Sequence, residues 1–193
     1  IFKPIDLYEP GALRHVDSPS DRIVIGEVDN RPSPGADAIA AGVTPAGWKT
    51  EVSTDIRRTI WTKLVGNAVW NPLCALTQSA ANDIASFAPT RDLAIAMMKE
   101  AAAVAKAAGA KINVDAEKAV GDVATRKSPI SSTLADVRAG RQLELAALSW
   151  SIIEIGEITG VPTPNLRNVA PCAGMLDQYI VNSASAIRPE AVR

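Results

Sequence analysis

The chain contains one histidine, His15, and two cysteines, Cys74 and Cys172, among 193 residues. Three such ligands fall one short of the four that close a structural zinc centre, which excludes a Cys/His zinc site. Two cysteines so far apart are too few for a disulfide scaffold, and a chain of this length can build a core without one. The expectation is single buried thiols in a reducing cytoplasm. Charge of neither sign is in surplus: Lys and Arg number 20, Asp and Glu 21, for a net charge of -1. That balance lacks the basic footprint of a nucleic-acid or anionic-membrane binder. With 47% hydrophobic residues the chain is not of a disordered composition. No apolar run reaches the ~20 residues that span a bilayer. The best candidate, 143–158, is interrupted by Glu144, Glu154 and Glu157. The twelve glycines form no GxGxxG, no GxxxxGK[ST] and no GxSxG, so neither a dinucleotide fingerprint, a phosphate loop nor a nucleophile elbow is present. The chain opens Ile1-Phe2-Lys3, and the expectation is a piece of a longer protein whose glycine-rich half lies outside it.

What is there changes character near residue 53. Asp21 to Glu27 is a β-branched run closed by Gly26, a strand signal. The Pro- and Gly-rich stretch 31–35 is a turn leading into a short helix over Ala36 to Ala41. Trp48 to Val52 reads as a second strand. From there on the pattern is helical. Ser53 or Thr54 caps a helix that Pro72 should end at Asn71. Thr90 caps the next, Arg91 to Ala108, and Gly109 stops it. A shorter helix follows Asp115. Ser131 and Ser132 open a long helical stretch that Gly140 weakens and Gly160 ends, and a last helix spans Asn165 to Ile180 with Pro171 inside it. Gly156 and Gly160 form a GxxxG whose use outside a membrane is close packing and a helix stop. The reading is a mainly α protein: a short α/β remnant over 1–53, then an all-helical domain of about five helices over 54–193.

Two constellations carry chemistry. Lys63, Asn67 and Asn71 recur at i, i+4 and i+8 in the otherwise apolar stretch 60–73. They drift only ~80° around a helix while climbing ~12 Å, and so form one polar stripe. An ammonium and two carboxamides can donate to a ketone or carboxylate and accept from a hydroxyl. The bland alternative is a solvated helix face. In the second constellation, Ser132 sits at a helix start, where a hydroxyl and free N–H groups suit an anion. Glu144 falls in the apolar run 143–148, where a buried carboxylate needs a partner, with Lys63 as a candidate. Here too a plain helix cap and a solvent-facing carboxylate remain the alternative.

Taken in order, these motifs resemble the C-terminal domain of the ketopantoate reductase (2-dehydropantoate 2-reductase) family. Trp61-Thr62-Lys63-Leu64, Asn67 and Asn71-Pro72-Leu73-Cys74-Ala75-Leu76 match its first motif. Ser131-Ser132, Asp136-Val137, Arg141 and Glu144-Leu145 match its second, and Gly160-Val161-Pro162-Thr163-Pro164 a later one. Gly11, His15 and Ile25-Gly26-Glu27 resemble the end of its nucleotide-binding domain. The resemblance implies a helical domain like that of 6-phosphogluconate dehydrogenase behind a Rossmann remnant. It implies Lys63 as general acid, Glu144 orienting Lys63 and contacting the cofactor, Asn67 and Asn71 holding the substrate's hydroxyl or carbonyl, and Ser132 binding its carboxylate. It implies NADPH as cofactor, a small 2-keto acid as substrate (ketopantoate, in pantothenate biosynthesis), no nucleic-acid or membrane partner, a homodimer as one state, and inactivity of this piece alone. Two departures stand out: the family's Asp two places after the Glu is Ala146, and its Gly six places after is Trp150. They keep open a different branched 2-keto acid and a non-catalytic helical module.

Overall fold

Short β-branched runs set the first elements. The computed structural model describes residues 5–9, 12–15, 22–126 and 130–183; Gly11 and Asp21 lie outside them. The chain divides into two units, 1–60 and 61–193. In the first, β1 (Ile5–Glu9) pairs antiparallel with β2 (Ala12–His15), with an irregularity between Leu7 and Glu9. Strand β3 (Ile23–Ile25) pairs in parallel with β4 (Thr50–Val52), Ile23 facing Thr50 and Ile25 facing Val52. A parallel pair requires a crossover, and α1 (Pro34–Val43) supplies it. Ser33 caps α1 by accepting the Ala36 N–H, and Pro34 occupies the first turn, where a missing N–H costs nothing. A Cβ on Gly26 would lie 2.7 Å from the Ser53 carbonyl oxygen, so only glycine lets β3 run this close to the chain leaving β4.

Helix α2 (Ile56–Thr77) is capped by Asp55, whose carboxylate accepts the Arg58 N–H at 3.1 Å. The two compact units divide after Ile60, within α2. The helix also runs six residues past Asn71, with Pro72 inside it. Pro72 lacks the N–H that would bond to the Ala68 carbonyl. The Ser149 hydroxyl, fully buried, donates to that oxygen instead at 3.4 Å. A stop signal is thus overridden from 81 residues away.

The remaining helices are more numerous than the pattern suggested. A short α3 (Ala81–Ser86) precedes α4 (Ala88–Ala107), which starts before Thr90. Thr90 is not its cap, because its hydroxyl donates to the carbonyls of Ile84 and Phe87. Asp115 caps α5 (Ala116–Ala124) as expected, accepting the Lys118 N–H. The long stretch opening at Ser131 is not continuous. Helix α6 (Ser132–Ala139) ends at Gly140, which takes a left-handed φ of 69° and closes it. An irregular segment then leads to a π-helical turn (Ala146–Trp150) and α7 (Ser151–Thr159), stopped by Gly160 at φ 72°. Gly156 is needed for packing: a Cβ there would lie 2.9 Å from the Val161 oxygen. Last comes α8 (Pro164–Ser183), with Pro171 inside.

The core of the second unit gathers Val65, Ala68 and Val69 of α2, Met97, Ala101 and Val104 of α4, Val120 of α5, Leu134 of α6, Ile152 of α7 and Leu166 of α8. Ala94, Ala101 and Ala105 of α4 are fully buried where α4 packs against α3, α5, α7 and α8. Each fully buried large aliphatic side chain contributes about 1.5–3 kcal/mol. A smaller cluster joins Ala75, Val137, Leu143, Leu145, Ala173 and Ile180 beneath the irregular segment. The Glu100 carboxylate on α4 caps α8 from outside, accepting the N–H groups of Asn165 at 2.9 Å and Leu166 at 3.0 Å.

Candidate active site

The expected polar stripe exists, and it is graded. Lys63 is exposed, Asn67 half-buried and Asn71 buried at 5% exposure. Its flanks Val65, Ala68, Val69 and Leu73 are buried, with Leu64 and Trp70 half-buried. A solvated helix face would keep all three polar residues wet, so that alternative fails at Asn71. Among the described residues, neither Asn67 nor Asn71 has a side-chain hydrogen bond, and the Asn71 amide is not among the buried atoms sealed without a partner. Its amide atoms therefore reach the surface, where they bond outside the chain rather than within it.

Ser131 caps α6 by accepting the Leu134 N–H at 3.2 Å. Ser132, exposed, is the first residue of the helix rather than its cap. With the Leu134 N–H taken, those of Ser132 and Thr133 remain for an anion. The Ser131 side chain also lies beside the Cys74 thiol of α2, which places the start of α6 by the far end of the stripe. Burial, above all, pushes the Cys74 thiol up to about 11; the Ser131 hydroxyl opposes this and Asp83 adds to it. The expectation of two buried thiols holds only for Cys74, because Cys172 on α8 is exposed.

Glu144 lies on the irregular segment between α6 and the π turn and is exposed. Its neighbours Leu143 and Leu145 are buried at 5% and 3%. The carboxylate thus turns outward between two seated leucines. Among the described residues it forms no ion pair or hydrogen bond, so it does not pair with Lys63, and being exposed it has no need to. Two contacts bring the constellations together: Cys74 with Ser131, and Ala68 with Ser149. Sequence reasoning overlooked Ser149 and Asp177, the latter accepting the Leu143 N–H at 2.7 Å. The one local signal was Pro72, whose missing N–H announces a carbonyl in need of a donor.

Residues 55–176 match the family described as ketopantoate reductase PanE/ApbA C terminal. The chain belongs to this family. It is 36% identical over 172 residues to a 2-dehydropantoate 2-reductase of Mesorhizobium japonicum, covering 88% of this chain and 51% of that protein. Its fold is similar to 2-dehydropantoate 2-reductase from Methylococcus capsulatus (TM-score 0.85, 27% identity, 93% of this chain and 62% of that one). It is also similar to a PanE/ApbA family ketopantoate reductase from Ralstonia eutropha JMP134 (TM-score 0.80, 27% identity, 93% and 58%). The chain spans about half the length of the curated relatives it matches. The mainly helical fold expected of the family's C-terminal domain is the one observed.

The family's dinucleotide does not fit the residues of this chain alone. Among the described residues, α1 follows β3 and α2 follows β4 of the parallel pair. Ser33 already caps α1 and Pro34 removes an N–H there, while the Asp55 carboxylate caps α2, so neither of these starts offers a phosphate cradle. A recess of about 710 Å³ beside it, lined by Glu27, Asp29, Arg31 and Arg57 among others, contains none of the expected site residues. Its two arginines are already engaged: Arg31 pairs with Asp29, and Arg57 donates to the Val28 carbonyl. Among the described residues no helix is long and apolar enough to cross a membrane.

Proposed function

We propose that this chain is the substrate-binding and proton-donating part of an NADPH-dependent 2-keto-acid reductase, with ketopantoate as the substrate its family points to. The carrying observation is Asn71, nearly buried yet without an internal hydrogen bond, in line with Asn67 and Lys63 on α2. In this reading the Lys63 ammonium donates a proton to the carbonyl oxygen as it gains charge. Asn67 and Asn71 hold the carbonyl and a substrate hydroxyl by hydrogen bonds. Ser132, with the N–H groups at the start of α6, receives the carboxylate. Glu144 faces the same ligand and the cofactor from the irregular segment. NADPH would supply the hydride, held by the half of the protein outside this chain.

The test is Lys63→Ala in the full-length enzyme. Its kcat/KM for ketopantoate should fall by on the order of 10² or more, because a positioned acid typically contributes that much. Turnover within a factor of three of the parent would sink the assignment. A panel of branched 2-keto acids on the same protein addresses the substrate, since Trp150 and Ala146 differ from the family pattern.

A further inference from the structure

Glu144 is carried by an irregular segment of the second unit, between the left-handed end of α6 and the π turn. A carboxylate on such a segment is useful only if something fixes the segment. Two side chains do so, one near each end. Before Glu144, the Leu143 N–H donates to Asp177 Oδ1 of α8 at 2.7 Å, across 34 residues. After it, Ser149 Oγ donates to the Ala68 carbonyl of α2 at 3.4 Å, across 81 residues. That carbonyl is free for a specific reason: its usual helical partner four residues on is Pro72, which has no N–H. Ala68 directly follows Asn67 in the stripe, so the second bond sets the segment's register against the stripe itself. Neither residue touches the expected ligand. Both act on the backbone that leads to Glu144, and Leu143 and Leu145 keep that backbone seated.

We infer that Asp177 and Ser149 are positioning residues, which hold the Glu144 segment against the Lys63–Asn67–Asn71 face of α2. The inference rests on the reading of Glu144 as a site residue. The test is kinetic, in the full-length enzyme with ketopantoate and NADPH. Asp177→Ala should lower kcat by about ten- to a hundredfold, as a misplacement near 1 Å does, and raise KM for NADPH, which Glu144 contacts in this reading. Asp177→Asn keeps an acceptor oxygen and should restore kcat to within about twofold. Ser149→Ala should lower kcat by about threefold. On a Glu144→Ala background neither change should cost more, since residues acting through one group do not add. A kcat within twofold of the parent in both single variants overturns the inference, as do losses that multiply with Glu144→Ala. Normal turnover of Glu144→Ala itself overturns the reading of Glu144 instead. Should Asp177→Ala fail to fold, Ser149→Ala carries the same comparison.

Discussion

Helix α2 presents Lys63, Asn67 and Asn71 from a backbone that bonds almost entirely to itself. The segment 140–150 presents Glu144 from a backbone tied at Leu143 to α8 and, through the Ser149 side chain, to α2. The first arrangement needs only a repeat of four residues, and its geometry follows from the helix. The second needs partners 34 and 81 residues away, and its geometry exists only once the fold does. A site built from both keeps one side rigid by local rules and the other by tertiary ones. Substitutions should accordingly behave differently on the two sides.

After Lys63→Ala, the largest effect should come from Asn71→Leu. It removes a hydrogen-bonding group that the fold itself does not use, so kcat/KM in the full-length enzyme should drop by about 30-fold, in line with leaving a substrate group unpaired. The melting temperature should hold or rise, because an unbonded amide is replaced by apolar volume. A fall of several degrees with activity retained would show that Asn71 serves the fold, and would erase the contrast.

A smaller effect tests the borrowed bond. Ser149→Ala orphans the Ala68 carbonyl and should cost about 1 kcal/mol in urea unfolding. Pro72→Ala returns an N–H to that carbonyl, so the same Ser149→Ala change should then cost little, with a coupling of about 1 kcal/mol. Strictly additive costs would mean that Ser149 packs without bonding.

The smallest effect lies at Cys74, where α2 meets the cap of α6. Its thiol, held up to about 11 by burial, stays protonated in the fold after an unfolded thiol, near 9.0, has ionised. The unfolded chain then binds fewer protons, so stability should decline as pH rises from about 9 toward 11. Cys74→Ser should lessen the slope. At pH 8, Cys172, exposed on α8, should be alkylated well before Cys74. Equal rates would mean that the α2–α6 contact opens readily.

The same contrast explains what the amino-acid order alone reveals. The stripe is legible because Lys63, Asn67 and Asn71 repeat at helical spacing. The crossover between two strands is legible because Gly26, the 31–35 turn and the β-branched runs are local signals. The gradation from wet Lys63 to dry Asn71 is not, because it depends on which helices cover the far end. Pro72 reads as a stop because the rule for proline considers only its own helix, whereas Ser149 lies in another. Gly140 reads as a weak point in one helix, yet its left-handed conformation ends α6 outright. The π turn that follows has no sequence signature at this resolution of reading. It is visible only once Leu145 and Ser149 are seen to be buried on different neighbours.

One consequence concerns α8, which carries none of the expected reactive groups. Its first turn is tied to α4 by Glu100, and about three turns later Asp177 holds the Leu143 backbone. The two ties are ~18 Å apart along a single helix. α8 therefore works as a beam seated in both clusters, tied to α4 near its start and, further along, to the backbone that leads to Glu144. If Glu144 acts as proposed, loosening the tie at Glu100 would be felt as lost aim there, and α4 would be a place where turnover is tuned without touching the proposed ligand groups.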